Sequence, residues 1–334
     1  MPSRTKPLID THDRLHRSLR LSIVDKCDLR CTYCMPEDQV FLKRKELMTL
    51  EELGTIARIF VEQFGITKIR ITGGEPLVRP DVVEIVRDLS TLPVQLGLTT
   101  NAHTLHHHLD GLIAGGLKSI NISLDTFHVD RFKQITRRDG FQRVWNNIQA
   151  ALKKGLRVKV NMVVMRGVNE DELVRFVELT RDHDVHVRFI EFMPFAGNHW
   201  GRERVFTYAE MLERIGISYP FEKLNDDPHS TAKSYRVPNW PGTFAVISTV
   251  TEPFCGTCDR LRITAEGKMR NCLFSREETD LLKAMRSGAD LGPLIEANVL
   301  AKHKMLGGLP PFKAASETEV LNHLSARPMV SIGG

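Results

Sequence analysis

Six short β-prone runs in the first 200 or so residues alternate with helical patterns, and several of these runs are apolar on one face only. They fall at residues 19–24, 68–72, 94–100, 118–124, 156–164 and 186–191. Successive side chains of a strand point to opposite faces. Ile120, Ile122 and Leu124 therefore share one face, and Ser119, Asn121, Ser123 and Asp125 the other. Ile69 and Ile71 alternate with Lys68, Arg70 and Thr72, and Val158, Val160 and Met162 alternate with Lys159 and Asn161. Parallel strands covered by helices on both faces read as continuous apolar runs instead. A half-solvated sheet would also show a polar face, but the intervening helices argue against it. The pattern predicts an α/β fold, an incomplete (β/α)6 TIM-like barrel whose lumen is lined for a polar ligand.

The helices between the runs carry their own signals. Leu50, Leu53, Ile56, Ala57, Phe60, Val61 and Phe64 repeat at helical spacing, with Thr49 and Glu52 as a capping box and Gly65 at the end. A second helix runs from Phe141 to Gly155, and a third starts at Asn169 with Glu172 three residues on. After Trp200 the alternation fades, and residues 225–231 read as an exposed loop. The chain thus divides into an N-terminal tail (1–12), a barrel domain (13–220) and a smaller C-terminal module (221–334) with a flexible Gly333-Gly334 end. No apolar run approaches the ~20 residues that span a bilayer, and residues 1–13 lack the apolar core of a secretory signal. The net charge of +5 suits an anionic small molecule as well as a nucleic acid. The His106-His107-His108 run reads as a solvated helix face, not a metal site.

Six cysteines fall into two groups of three, which argues against a disulfide framework and for a reducing cytoplasm. Cys27-x3-Cys31-x2-Cys34 directly follows the first strand, where loops of a βα barrel form the catalytic rim. Three thiolates can hold an iron–sulfur cluster while leaving one iron open, whereas ferredoxin-type carriers use four. A zinc knuckle would need a fourth ligand, and the nearest histidines are His12 and His16 upstream. The second group is Cys255-x2-Cys258-x13-Cys272. Strands predicted at 260–264 and 268–273 would form a hairpin placing Cys258 and Cys272, each seven residues from Ala265, side by side. Arg260 and Arg262, two apart, project together and suit phosphate oxygens. Zinc there would again need a fourth ligand that the hairpin does not supply.

The first cysteine group, with Gly73-Gly74-Glu75-Pro76 after the second strand, resembles the signature of the radical S-adenosylmethionine (SAM) superfamily. With the second group included, the chain resembles the GTP 3′,8-cyclases of molybdenum-cofactor biosynthesis from about Leu19 onward. Further segments carrying the likeness are Asn121–Asp125, Arg188–Pro194 and Cys255–Arg262. The resemblance implies two [4Fe–4S] clusters, on Cys27, Cys31 and Cys34 and on Cys255, Cys258 and Cys272. It implies SAM contacts at Tyr33, Gly74, Ser123 and Met193, and GTP contacts at Arg20, Arg70, Thr99, Lys159, Arg260 and Arg262. Lys68 and Arg188 are further triphosphate contacts on this reading, and no side chain is assigned as the catalytic residue. A deoxyadenosyl radical would abstract the ribose 3′ hydrogen of GTP, and the carbon radical would attack C8 of guanine. The product, 3′,8-cyclo-7,8-dihydro-GTP, would pass to a cyclic pyranopterin monophosphate synthase. The electron donor and a homodimer are left open; no membrane or nucleic-acid partner is expected. Two positions depart from the family: Ala102 where a Gly is usual, and Asp13 before Arg14 where the pair is usually Gly-Arg. The first is expected to alter the turn after the third strand and the second to loosen the N-terminal segment. A peptide-modifying radical enzyme would carry more C-terminal cysteines. An RNA-binding or cluster-carrier protein would show a basic stripe with exposed aromatics.

Overall fold

Helical crossovers between short strands force those strands to run parallel, and that is the arrangement found. The computed structural model describes residues 5–324 and 327–333; Gly334, part of the expected flexible end, lies outside the described residues. A small hairpin, β1 (Leu8–Ile9) and β2 (Leu15–His16), precedes β3 (Ser18–Ser22), β4 (Lys68–Thr72), β5 (Gln95–Thr100), β6 (Ser119–Ser123), β7 (Arg157–Val164) and β8 (His186–Glu191). Beyond these come β9 (Glu222–Lys223), β10 (Lys233–Arg236), β11 (Thr243–Ile247), β12 (Arg260–Ile263), β13 (Lys268–Arg270) and β14 (Thr279–Asp280). One twelve-stranded sheet runs β14-β13-β12-β3-β4-β5-β6-β7-β8-β11-β10-β9. The pairs from β12 through β3 to β8 and on to β11 are parallel, and the two outer ends are antiparallel. The six predicted strands form the centre, an open arc in keeping with an incomplete barrel.

Helices α1 (Leu50–Arg58), α2 (Val82–Ser90), α3 (Leu109–Ala114), α4 (Val129–Thr136), α5 (Phe141–Lys153) and α6 (Leu173–Asp182) fill the crossovers. In α1 the capping box forms as the sequence predicts: the Glu52 amide donates to Thr49 Oγ1 at 3.2 Å, and the Thr49 amide donates to Glu52 at 2.8 Å. Leu53, Ile56 and Ala57 are buried, and a π-helical turn at Ile59–Gln63 carries Phe60 and Val61 into the same core. The helix expected at Asn169 instead starts at Leu173, behind a 3-10 turn. Asn169 bonds the backbone of Asp125, Val163 and Met165, and buried Glu172 accepts from Thr126 and the Phe127 amide. Both side chains are thus spent on tying α6 to the neighbouring loop. His106 and His107 are exposed on a 3-10 turn ahead of α3, not on an α-helix face.

Residue 220 is no break in the sheet. β11 extends its β8 edge and β12 its β3 edge, and Leu261, Ile263 and Met269 belong to the same apolar core as the barrel strands. A second core of Phe192, Phe195, Trp200, Phe274, Leu309 and Phe312 joins the loop after β8 to the C-terminal segment. Residues 8–12, expected within the N-terminal tail, form with residues 13–16 the β1–β2 hairpin, across which Arg14 pairs with Asp10. Asp13 makes the turn with φ 59°, so this departure from Gly costs some backbone strain.

Candidate functional site

A cavity lies among the C-terminal halves of the parallel strands, where barrel enzymes of this type carry their chemistry. Tyr33, Ser123, Asp125 and Met193 line it together with Cys255, Cys258 and Cys272, and Arg20, Arg188, Arg260 and Arg262 line the same space. Thr99, Asn121 and Asn161 complete its polar wall. A smaller cavity shares Tyr33, Ser123 and Asp125 with it and adds Cys31 and Asn101.

The first cysteine loop is fixed from three sides. Cys31 O accepts from the Cys34 and Met35 amides, and the Arg30 and Thr32 amides donate to Thr136 O and Ile135 O at the end of α4. Gly74 packs beneath its start: its amide donates to Val24 O at 2.7 Å, and a Cβ here would stand 2.3 Å from Asp25 O. Only glycine permits that approach. The approach is to the backbone that launches the cysteine loop. Asn101 donates to Asp28 at 2.7 Å and reaches Cys27 Sγ at 3.7 Å. Burial pushes the Cys27 and Cys31 thiols well up, with Glu75 adding at Cys27 and Cys34 at Cys31; burial raises Cys34 to about 12. All six cysteines are free of disulfides. Three buried thiols that resist ionisation alone become thiolates when a metal centre takes the charge.

The second trio lies at the open end of the β12–β13 hairpin, Cys255 and Cys258 ahead of β12 and Cys272 after β13. Arg262 pairs with Arg270 and Ile263 with Met269, so the hairpin pivots on Glu266, one residue later than the sequence count assumed. Cys258 and Cys272 lie just beyond the paired strands, both on the cavity wall. Burial raises the Cys258 thiol, but Arg260 and Lys302 outweigh it and bring it down to about 6. Among the described residues no three His, Cys, Asp or Glu side chains gather tightly enough for a single ion; a cluster core is wider than one ion.

Cations dominate the space between the trios. Arg262, Arg20 and Arg70 occupy one register row across β12, β3 and β4. Burial, then repulsion from Arg262, Arg260, Arg70 and Arg188, drives the Arg20 pKa well down. Burial with neighbouring arginines brings Arg188 to about 9, and burial with Arg188 and Arg70 brings Lys159 to about 8. Hydrogen bonds of Arg188 and Arg262 go to neutral acceptors, Asn161 Oδ1 at 2.8 Å and Gly333 O at 2.8 Å. Such a field is relieved by a polyanion. Gly333 itself takes φ 69° and lies so close to Ser22 and Thr72 that a Cβ would meet Thr72 Oγ1 at 2.6 Å.

A family model described as Radical SAM superfamily matches residues 21–180, and one described as Molybdenum Cofactor Synthesis C matches residues 185–306. The chain is 42% identical over 334 residues to "GTP 3′,8-cyclase, mitochondrial" of Arabidopsis thaliana, covering 98% of this chain and 83% of the relative. It is 43% identical over 298 residues to the GTP 3′,8-cyclase of Rhodopirellula baltica, covering 86% of this chain and 83% of that one. The chain belongs to the GTP 3′,8-cyclase family. Another relative of this cyclase family member is "Molybdenum cofactor biosynthesis protein 1" of Drosophila melanogaster, 48% identical over 316 residues, covering 92% of this chain and 56% of that one. The chain spans about half the length of the curated relatives of that name. Its fold is similar to that of Streptococcus suis SuiB bound to S-adenosylmethionine, with TM-score 0.64, 14% identity, and coverage of 82% of this chain and 67% of that one.

As a GTP 3′,8-cyclase family member within the radical SAM superfamily, the chain takes SAM and an iron–sulfur cluster; the free thiols of Cys27, Cys31 and Cys34 are soft donors of the kind that would hold such a cluster. Of the residues expected from sequence, Arg20, Tyr33, Thr99, Ser123, Met193, Arg260, Arg262 and the second trio line the main cavity. Cys31 lines the adjoining one, and Arg70 backs the wall from the Arg20 row. Gly74 packs against the backbone of Asp25 and Lys26, and Lys159 lies nearer the opposite strand ends, in a separate cleft with Arg157 and His186. Asp125 was missed as a site residue. Its carboxylate accepts from Tyr33 Oη at 2.8 Å and the Val163 amide at 2.9 Å, and burial raises it to about 6. The signal was present, since Asp125 continues the lumen-facing parity of Asn121 and Ser123.

Proposed function

We propose that this protein cyclises GTP to 3′,8-cyclo-7,8-dihydro-GTP, the first step of molybdenum-cofactor biosynthesis, with a [4Fe–4S] cluster on each cysteine trio. One observation carries the reading: four arginines and the Cys255, Cys258 and Cys272 thiols face the same cavity as Tyr33, Ser123 and Met193. A triphosphate matches the arginines, and the base is left to reach the second trio. When bound, the cluster and SAM supply the radical that removes the ribose 3′ hydrogen. The chain's own residues position. Arg20, Arg188, Arg260 and Arg262 would hold the phosphates, with Arg70 backing Arg20; Lys159 and Lys68, toward the opposite strand ends, would add to the positive field, and Thr99 would orient the nucleotide. Tyr33, Gly74, Ser123 and Met193 would shape the SAM pocket, with Asp125 fixing the Tyr33 ring by its hydrogen bond. Rate then comes from holding C3′ in range, not from proton transfer.

The product would pass to a cyclic pyranopterin monophosphate synthase. No helix among the described residues is long and apolar enough to cross a membrane, and the six unpaired cysteines support a reducing setting such as cytoplasm. The test is anaerobic incubation with SAM, reductant and each nucleotide in turn. Deoxyadenosine together with a cyclised purine from GTP is expected; deoxyadenosine formation indifferent to GTP would sink the substrate assignment.

A further inference from the structure

The segment after the last barrel-packed helix wraps the second cysteine trio. Lys302 is 3% exposed. Its ammonium donates to Arg260 O at 3.0 Å and lies 3.9 Å from Cys258 Sγ. Four residues on, the Leu306 amide donates to Cys255 Sγ at 3.4 Å. Two of the three sulfurs thus receive N–H donors from one short stretch of chain. That stretch is clamped from the far end of the sequence. The Arg14 guanidinium, paired with Asp10, donates to His303 O and Lys304 O at 2.8 Å each and to Cys255 O at 2.9 Å. Lys302, the Leu306 amide and Arg14 have no part in the substrate chemistry above.

We propose that Lys302, with the Leu306 amide, poises the second centre by placing a buried positive charge and an N–H donor on its thiolates, and that Arg14 is the positioning residue that keeps them there. The inference rests on the two-cluster reading. Cluster potentials respond to net charge and to hydrogen bonds on sulfur. A fixed cation stabilises the reduced, more negative form and so raises the potential. Arg14 acts at one remove, through three carbonyl oxygens.

The experiment is a potentiometric titration of the anaerobically reconstituted full chain, followed by electron paramagnetic resonance, for wild type, K302M, K302Q and K302R. K302M is expected to shift the second centre to a more negative midpoint, lowering its reduced-to-oxidised ratio at a fixed potential by about tenfold or more. K302R is expected to restore the wild-type value. Unchanged midpoints in fully loaded K302M or K302Q overturn this inference alone. If both neutral variants lose the second centre while K302R keeps it, the charge requirement is upheld; loss in K302R as well overturns it. A wild-type chain that holds a single cluster overturns the two-cluster reading and this inference with it.

Discussion

Arg262 stands directly opposite Arg20 on the adjacent parallel strand, and Arg70 stands opposite Arg20 on the other side. Like charges in one cross-strand row repel, and burial raises the cost. A triphosphate would offset both penalties at once, which is why the proposed function assigns this row to the phosphates.

Arg262→Ala is therefore expected to weaken GTP binding by roughly 10–150-fold, the equivalent of about 1.5–3 kcal/mol for a hydrogen bond to a charged group. Reductive SAM cleavage should persist, uncoupled from cyclisation. Equilibrium dialysis with GTP decides it; wild-type affinity would remove Arg262 from the site.

Cys31→Ala should abolish deoxyadenosine formation and lower reconstituted iron from about eight to about four per chain, as expected for two four-iron clusters. A wild-type chain that saturates near four irons would refute the second centre. Persistent SAM cleavage in the variant would refute the first.

Ala102 is buried with φ 58°, a left-handed backbone that costs an L-residue roughly 1–2 kcal/mol. Ala102→Gly relieves that strain but adds freedom to the unfolded chain and removes a buried methyl worth about 0.8 kcal/mol, so the net change should stay within about 1 kcal/mol of zero. Its amide still bonds Thr100 Oγ1, and its carbonyl still accepts from Asn147. A large shift of the denaturant midpoint in the variant would contradict this account. Asp13→Gly, at φ 59° on an exposed turn, loses no buried methyl and should raise stability slightly, the gain being small because Asp tolerates this region.

Burial, aided by the charges of Arg188 and Lys159, brings the His186 imidazole down to about 3. A lowered folded-state pKa means the unfolded chain binds the extra proton first. Stability from this group is present above pH 6.5 and drains as pH falls toward 3, by at most about 1.4 kcal/mol per pH unit. His186→Gln should flatten that part of the dependence. Denaturant midpoints at pH 7.5 and 5 for both chains give the comparison; equal slopes would show that His186 does not contribute.

The barrel strands were legible because side-chain parity is a local property. All six predicted runs contain the observed strand or overlap it within a residue or two, and the Thr49–Glu52 cap forms as expected. Asn169 and Glu172 carry the same local pattern, yet they serve partners near residues 125 and 126 that chain neighbours do not reveal. The β12–β13 register depended on which residue centres the turn, and the ladder centres on Glu266 where the cysteine count pointed to Ala265. Arg14 and Lys302 were invisible as site residues: each acts on cysteines more than forty positions away. Cysteine spacing, by contrast, is written in consecutive residues, so the two trios could be picked out where their surroundings could not.

The pairing of β3 with β12 has a consequence for how this molecule comes into being. β12 belongs to the last quarter of the chain, so throughout most of synthesis β3 is left as an open sheet edge, the kind that recruits stray strands. The arginine row is completed only when that late strand docks, which makes this cationic wall one of the final parts to assemble. Truncation or stalling before residue 260 would yield a nascent barrel with sticky flanks and half an anion cradle, a species for chaperones to capture before it aggregates.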